Sequence, residues 1–138
     1  MANEQKFSVV LPVHNEEENL KELHSRLRKV FEGLGGPYEI IFVDDASTDK
    51  SFDVLRDINA GNPHVRVIRF KKNRGESAAL AAGFNAARGD IIIAMDADLQ
   101  SEPKDIPKLL EKLKDYDVAW GRRAERQDDL IRNTFSWG

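Results

Sequence analysis

The stretch Ile91-Ile92-Ile93-Ala94-Met95-Asp96-Ala97-Asp98 joins an apolar run to two carboxylates that are one residue apart. The apolar run predicts a fully buried strand. Side chains alternate between the faces of a strand, so an Asp-x-Asp at its carboxyl end places both carboxylates together at the edge of the sheet. At such an edge, hard divalent cations can bridge carboxylates to phosphate oxygens. An acidic turn is the structural alternative, and the choice depends on what else reaches this edge.

The rest of the chain alternates apolar runs with helical periodicity, in four successive strand–helix units. The predicted strands are 7–13, 38–43, 65–70, 91–95 and 117–120. The predicted helices are 20–34 stopped by Gly35, one capped by Ser47 or Thr48, 76–87 capped by Gly89, and one opened by Pro103. Such units imply right-handed crossovers and a mostly parallel α/β sheet with helices on both faces.

Composition limits the function classes. The 138 residues, 41% of them apolar, predict one domain covering 1–138. The net charge of -3, from 21 basic and 24 acidic residues, gives no global sign of a nucleic-acid binder. Cys is absent, which excludes disulfides and thiolate metal sites and fits a reducing compartment. No apolar stretch approaches the ~20 residues of a membrane span.

Polar clusters follow the predicted strands at their carboxyl ends. They are residues 12–16, 44–49, 71–75 and 96–100. In open parallel sheets, ligands bind beyond the carboxyl ends of strands, at the point where the strand order reverses. We therefore expect all four clusters to share one edge.

Each candidate also has a structural explanation. Glu16 suits the start of a helix, and His14 suits a turn as well as base stacking. Asp45 suits a turn. The adjacent carboxylates of Asp44 and Asp45 repel each other, however, and a cap needs only one of them. This favours a ligand contact for Asp45. Arg74 is either a solvated residue or a phosphate contact beside helix amides. Gln100 is either a loop amide or a neutral oxygen that completes a metal site.

Three ordered motifs resemble those of family 2 glycosyltransferases. Residues 12–16 resemble Pro-x-Tyr-Asn-Glu, residues 43–49 resemble Val-Asp-Asp-Gly-Ser-x-Asp, and residues 96–100 match the Asp-Ala-Asp-Leu-Gln of the dolichol-phosphate mannosyltransferase branch. The resemblance covers roughly residues 7 to 130. His14 replaces the usual Tyr and keeps a flat ring, whereas Ala46 replaces the usual Gly in a turn.

The resemblance implies a GT-A fold and inverting transfer of a sugar from a UDP- or GDP-linked donor. We expect nucleotide-sugar contacts from Pro12, His14, Glu16, Asp45, Arg74 and Ala97. The implied catalytic residues are Asp96 and Asp98, which would hold Mg²⁺ or Mn²⁺ together with Gln100. The chemistry agrees, because a divalent ion neutralises the charge that develops on a departing nucleotide diphosphate.

The acceptor is predicted from residues 120–129. This segment resembles the Gly-Trp-Arg-x-x-Arg-x-Asp of polyprenyl-phosphate glycosyltransferases, with Arg123 and Arg126 at matching positions. Guanidinium groups suit phosphate oxygens, and a phosphate acceptor needs no general base. We therefore expect a polyprenyl phosphate acceptor. A saccharide acceptor in cell-envelope polysaccharide synthesis is the alternative, and a solvated basic segment is the structural one.

The carboxyl terminus predicts a truncated catalytic domain. Leu130, Ile131, Phe135 and Trp137 form an apolar face with little sequence left to cover it. For the full-length protein we expect a cytoplasmic location, at the cytoplasmic face of the membrane. For the fragment we expect donor binding without turnover.

The loops that follow the predicted strands also bear on three other protein classes. A receiver domain and a nucleotidyltransferase do not fit the loops that follow the predicted strands, whereas a non-catalytic nucleotide-sugar binding module remains open.

Overall fold

The computed structural model describes residues 6–100, 102–112 and 118–121. The strands are β1 Phe7–Val13, β2 Tyr38–Asp44, β3 Val65–Arg69, β4 Ile91–Met95 and β5 Val118–Gly121. The helices are α1 Leu20–Leu34, α2 Ser51–Ala60, α3 Glu76–Ala86 and α4 Ile106–Lys112, the last preceded by a 3-10 turn at Pro103–Asp105. All pairings between these strands are parallel, in the order β3-β2-β1-β4-β5. The predicted α/β fold is confirmed.

Both faces of the sheet are buried because alternate strand residues pack against different helices. Val9 and Leu11 of β1 belong to a core with residues of α1, α2 and α4. Val10 faces the other side and packs in a core with Ala79 and Leu80 of α3. This two-sided burial explains the continuous apolar strands in the sequence.

The strand order reverses beside β1. The chain proceeds from β1 through β2 to β3 on one side, then returns through α3 to β4 on the other side of β1. The loops that follow β1 and β4 diverge at this point and leave a crevice at the carboxyl edge of the sheet.

Two predicted helix caps are wrong. Ser47 and Thr48 do not cap α2, because the helix begins at Ser51 and Lys50 occupies the N-cap position. Their hydroxyls instead donate to Asp44 and Asn15. Gly89 is not a left-handed cap either, since α3 ends before the extended residue Ala87. Instead, a Cβ on Gly89 would lie 2.5 Å from the Ser8 Oγ and 2.8 Å from the Ser8 amide nitrogen. Gly89 is therefore explained by close packing.

None of the helices in the described ranges combines the length and the apolarity that crossing a membrane requires.

Candidate functional site

A cavity of about 270 Å³ opens at the carboxyl edge of the sheet, where the strand order reverses. Its walls come from the loops after β1, β2 and β4, together with Glu76 at the start of α3. The predicted site residues that line it are Pro12, His14, Glu16, Asp45, Asp96, Ala97 and Asp98. Three segments that are distant in sequence thus meet in one crevice.

Three non-glycine residues around this edge have left-handed backbone conformations. Asn15, Ala46 and Leu99 have φ values of 57°, 55° and 63°, and each lies in the loop after a different strand. Asn tolerates this conformation, but Ala and Leu rarely adopt it. Ala46 therefore keeps the turn that Gly would favour. Residues held in such conformations cluster at functional sites, which agrees with the position of the cavity.

Asn15 joins the loops after β1 and β2. Its Oδ1 accepts hydrogen bonds from the backbone amides of Thr48 at 2.8 Å and Asp49 at 3.2 Å. The backbone amide of Asn15 donates to the Ser47 Oγ at 2.9 Å, and the backbone amide of Glu16 donates to the Ser51 Oγ at 2.8 Å. Sequence reasoning did not select Asn15, although it lies within the first motif and Asn favours left-handed turns.

Asp45 connects the cavity to the β3–α3 loop. Its buried carboxylate accepts hydrogen bonds from the amides of Arg74 at 2.7 Å and Gly75 at 2.9 Å, and from Asn73 Nδ2 at 3.1 Å. The two amides that precede α3 are therefore donated to Asp45, and a phosphate would have to meet amides further along. Asp45 positions this loop in addition to lining the cavity. Its contact with a base stays a prediction.

His14 is held at the mouth of the cavity by the backbone of Asp45. Its Nδ1 lies 2.9 Å from the Asp45 carbonyl oxygen. Because a carbonyl only accepts, Nδ1 carries the proton. Asn15 Nδ2 lies 3.4 Å from the His14 Nε2, on the other side of the ring.

Two predicted ligands do not line the cavity. The Arg74 guanidinium carbon lies 5.7 Å from the centroid of the Phe70 ring, and the residue is exposed. Gln100 is also exposed, and its backbone amide donates to the Asp98 Oδ1 at 3.0 Å. Their binding roles stay predictions. Arg123 and Arg126 lie outside the described residues, as does the apolar face of residues 130–137.

Acidic side chains dominate the electrostatics of the cavity. Burial raises the pKa of Glu16, and the nearby carboxylates of Asp98, Asp49 and Asp96 raise it further, although a hydrogen bond from Asn19 opposes them. That bond, from Asn19 Nδ2 to the Glu16 Oε1, measures 2.8 Å. Burial is the main cause of the raised pKa, and the smaller contributions of the three aspartates show that carboxylates gather near Glu16, which a cation would stabilise.

The carboxylates in the cavity fit a divalent cation that takes its remaining ligands from a bound phosphate. In the part of the chain that the structure describes, no group of three or more His, Cys, Asp or Glu side chains is placed to hold a metal. Asp96 and Asp98 both line the cavity and offer hard oxygen atoms. Mg²⁺ is commonly held by one or two carboxylates plus substrate phosphates, so a full protein cage is not required.

Comparison with protein families gives one match across nearly the whole chain. The profile described as Glycosyl transferase family 2 matches residues 8–137. A curated relative from Photorhabdus laumondii subsp. laumondii is named undecaprenyl-phosphate 4-deoxy-4-formamido-L-arabinose transferase. It is 45% identical over 135 residues, which cover 95% of this chain and 41% of the relative. The chain thus spans less than half the length of that relative.

Solved structures share the fold. The mannosyltransferase PcManGT from Pyrobaculum calidifontis, in complex with GDP-Man and Mn²⁺, matches with a TM-score of 0.69 and 24% identity. The match covers 81% of this chain and 33% of that chain. Glucosyl-3-phosphoglycerate synthase from Mycobacterium tuberculosis, in complex with Mn²⁺, uridine diphosphate and phosphoglyceric acid, matches with a TM-score of 0.62 and 29% identity. It covers 79% of this chain and 39% of that chain. These likenesses agree with the α/β architecture.

Proposed function

Because the chain belongs to glycosyl transferase family 2, we propose that its cavity binds a nucleotide diphosphate sugar for inverting transfer to a polyprenyl phosphate. One observation carries the proposal: the residues of all three sequence motifs line the same crevice at the reversal of strand order. This is the position at which parallel α/β sheets bind nucleotides.

The residues that line the cavity suit the two parts of a nucleotide. His14 and Asp45 offer a ring and a carboxylate to a base, beside Pro12. Asp96 and Asp98, on either side of Ala97, offer hard oxygens to Mg²⁺ or Mn²⁺ on the diphosphate. The Mn²⁺ ions in the two similar structures support a divalent ion. Their ligands, GDP-Man and uridine diphosphate, support a UDP- or GDP-linked donor.

The reaction exchanges one carbon–oxygen bond for another. The bond from the anomeric carbon to the donor phosphate breaks, and its electron pair leaves with the nucleotide diphosphate. A phosphate oxygen of the acceptor forms the new bond from the opposite face, which inverts the anomeric carbon. When bound, a divalent ion would neutralise the charge on the leaving group. An anionic phosphate needs no general base, so the cavity carboxylates can serve in binding alone.

The proposed acceptor rests on similarity. The relative with 45% identity is named for undecaprenyl phosphate, which supports a polyprenyl phosphate. Arg123 and Arg126 are the proposed contacts with its phosphate, on the strength of the motif they match. A lipid acceptor also supports a site of action at the cytoplasmic face of the membrane.

Calorimetric titration with UDP and GDP, in Mn²⁺ and then in EDTA, tests the donor site. We expect one nucleotide to bind in Mn²⁺ and binding to be lost in EDTA. Asp98→Ala should abolish the Mn²⁺-dependent binding, whereas Asp57→Ala, at an exposed position on α2, should preserve it. Equal nucleotide affinity in Mn²⁺ and in EDTA would refute the proposed metal dependence.

Transfer itself needs a second assay. A chain extended to the length of its relatives should move sugar from the matching donor to undecaprenyl phosphate. Donor binding without hydrolysis or transfer by the extended chain would identify a binding module instead.

A further inference from the structure

The carboxyl end of β3 carries a group of exposed cations. Arg69, Lys71, Lys72 and Arg74, called here the basic patch, lie within six residues and are all exposed. No acidic residue occurs in 69–75. The ion pairs found among the described residues use other arginines and leave the basic patch without a carboxylate partner.

Aromatic rings hold two of these cations in place. The Arg69 guanidinium carbon lies 4.0 Å from the centroid of the Phe52 ring, and that of Arg74 lies 5.7 Å from the centroid of Phe70. A guanidinium over a ring keeps its N–H groups free to donate elsewhere. A groove of about 540 Å³ runs beside them, lined by Arg69, Phe70, Lys71 and the loop residues Ala46 and Ser47.

The patch and the acidic cavity share one edge of the molecule. β3 is an outer strand, and its carboxyl end faces the same way as the ends of β1, β2 and β4 because the sheet is parallel. The charge distribution is thus uneven, with four cations gathered on a chain of net charge -3. A negatively charged surface would attract the basic patch itself, since the patch gathers cations on a chain that is otherwise acidic overall.

We propose that the basic patch docks the chain on an anionic phospholipid bilayer. Docking in this orientation would bring the mouth of the cavity to the membrane. The benefit of placing the cavity there rests on the proposed function. The charge complementarity does not depend on it. Single-stranded RNA is the competing polyanion, but it gives no reason for the basic patch to share an edge with the cavity.

The test uses flotation of this chain with vesicles of phosphatidylcholine, with and without phosphatidylglycerol. We expect binding only when phosphatidylglycerol is present, and loss of binding at high salt because screening shortens the reach of exposed charges. Each basic residue near such a surface contributes about a fivefold gain in partitioning. Lys71→Gln with Lys72→Gln should therefore weaken vesicle binding by roughly 30-fold.

A matched control removes two charges from elsewhere. Lys29 and Arg88 are exposed and distant in sequence from the basic patch, so Lys29→Gln with Arg88→Gln should leave vesicle binding within about fivefold of the parent. Equal losses in both double variants, or none in the patch variant, would overturn the proposal. So would tighter binding to single-stranded RNA than to the anionic vesicles. Nucleotide titration of the same variants separates a failed patch from a failed donor site.

Discussion

Ala46 holds a conformation that its side chain disfavours. A left-handed backbone costs a non-glycine residue roughly 1–2 kcal/mol, whereas glycine adds about 0.5–1 kcal/mol of chain entropy in the unfolded state. We therefore expect Ala46→Gly to raise the free energy of unfolding by about 0.5–1 kcal/mol. Urea denaturation measures it. Ala87→Gly is the control, since Ala87 has a φ of -67° and should lose stability. Equal losses would show that Ala46 is not strained.

Glu16 is a second residue in an unfavourable environment, because its surroundings disfavour the ionised form of its carboxyl group. Since its pKa is raised above 4.5, the folded chain binds that proton more tightly than the unfolded chain does. Stability contributed by protonated Glu16 is present at acid pH and is lost as pH rises through the folded pKa. We expect Glu16→Gln to be more stable than the parent at neutral pH, with the difference closing below pH 4.5.

The control for Glu16 is Glu18→Gln, which removes the same charge from an exposed neighbour. Urea unfolding of both variants across a pH series would check the prediction. A stability gain that Glu18→Gln matched at every pH would assign the effect to net charge.

The packing of α3 on the sheet depends on an absent side chain. A Cβ on Gly83 would clash with the Cγ1 of Val10, which is fully buried in β1. We expect Gly83→Ala to lower the free energy of unfolding by about 1–3 kcal/mol through overpacking. Val10→Ala in the same chain should recover part of that loss, because it frees the space.

A second glycine on a helix provides the contrast. Gly33 lies in α1, where a Cβ would meet nothing within 4 Å. Gly33→Ala should therefore stabilise the chain by up to about 1 kcal/mol through helix propensity. Thermal unfolding of the two alanine variants should shift in opposite directions. Shifts of the same sign would reject close packing as the reason for Gly83.

At the scale of the whole molecule, a buried network ties the sheet together at the edge opposite the cavity. Glu39 accepts hydrogen bonds from the Ser8 hydroxyl and the Arg88 amide, each at 2.6 Å, and from Arg66 NH1 at 2.8 Å. Burial by itself would raise the pKa of Glu39, but these hydrogen bonds and the Arg66 charge lower it below 4.5. The network links β1, β2, β3 and the turn before β4.

Removing one partner of this network should be costly. We expect Glu39→Ala to lose about 3–5 kcal/mol, because it leaves a partly buried guanidinium without its carboxylate. The stability that Glu39 provides is present above pH 4.5 and is lost as pH falls through its lowered folded pKa. Glu32→Ala, which breaks the exposed pair with Arg28, should cost at most about 1 kcal/mol. Equal costs by urea titration would contradict the prediction.

The sequence by itself determined the order of strands and helices along the chain, the parallel sheet and most of the residues that line the cavity. Periodicity records which faces are buried, and a parallel sheet places residues that follow its strands at one edge. Pro12, Asp45 and Asp96 were therefore predictable as neighbours. The three sequence motifs predicted the family to which the chain belongs.

Only the tertiary structure decided how individual polar groups are used. Asp45 is bound by amides 29 and 30 residues away, and Glu39 by a hydroxyl 31 residues away. Gly89 is required by Ser8, which lies 81 residues earlier. Local pattern cannot encode such contacts, because they depend on the distances and burial that arise when separate strands pack side by side.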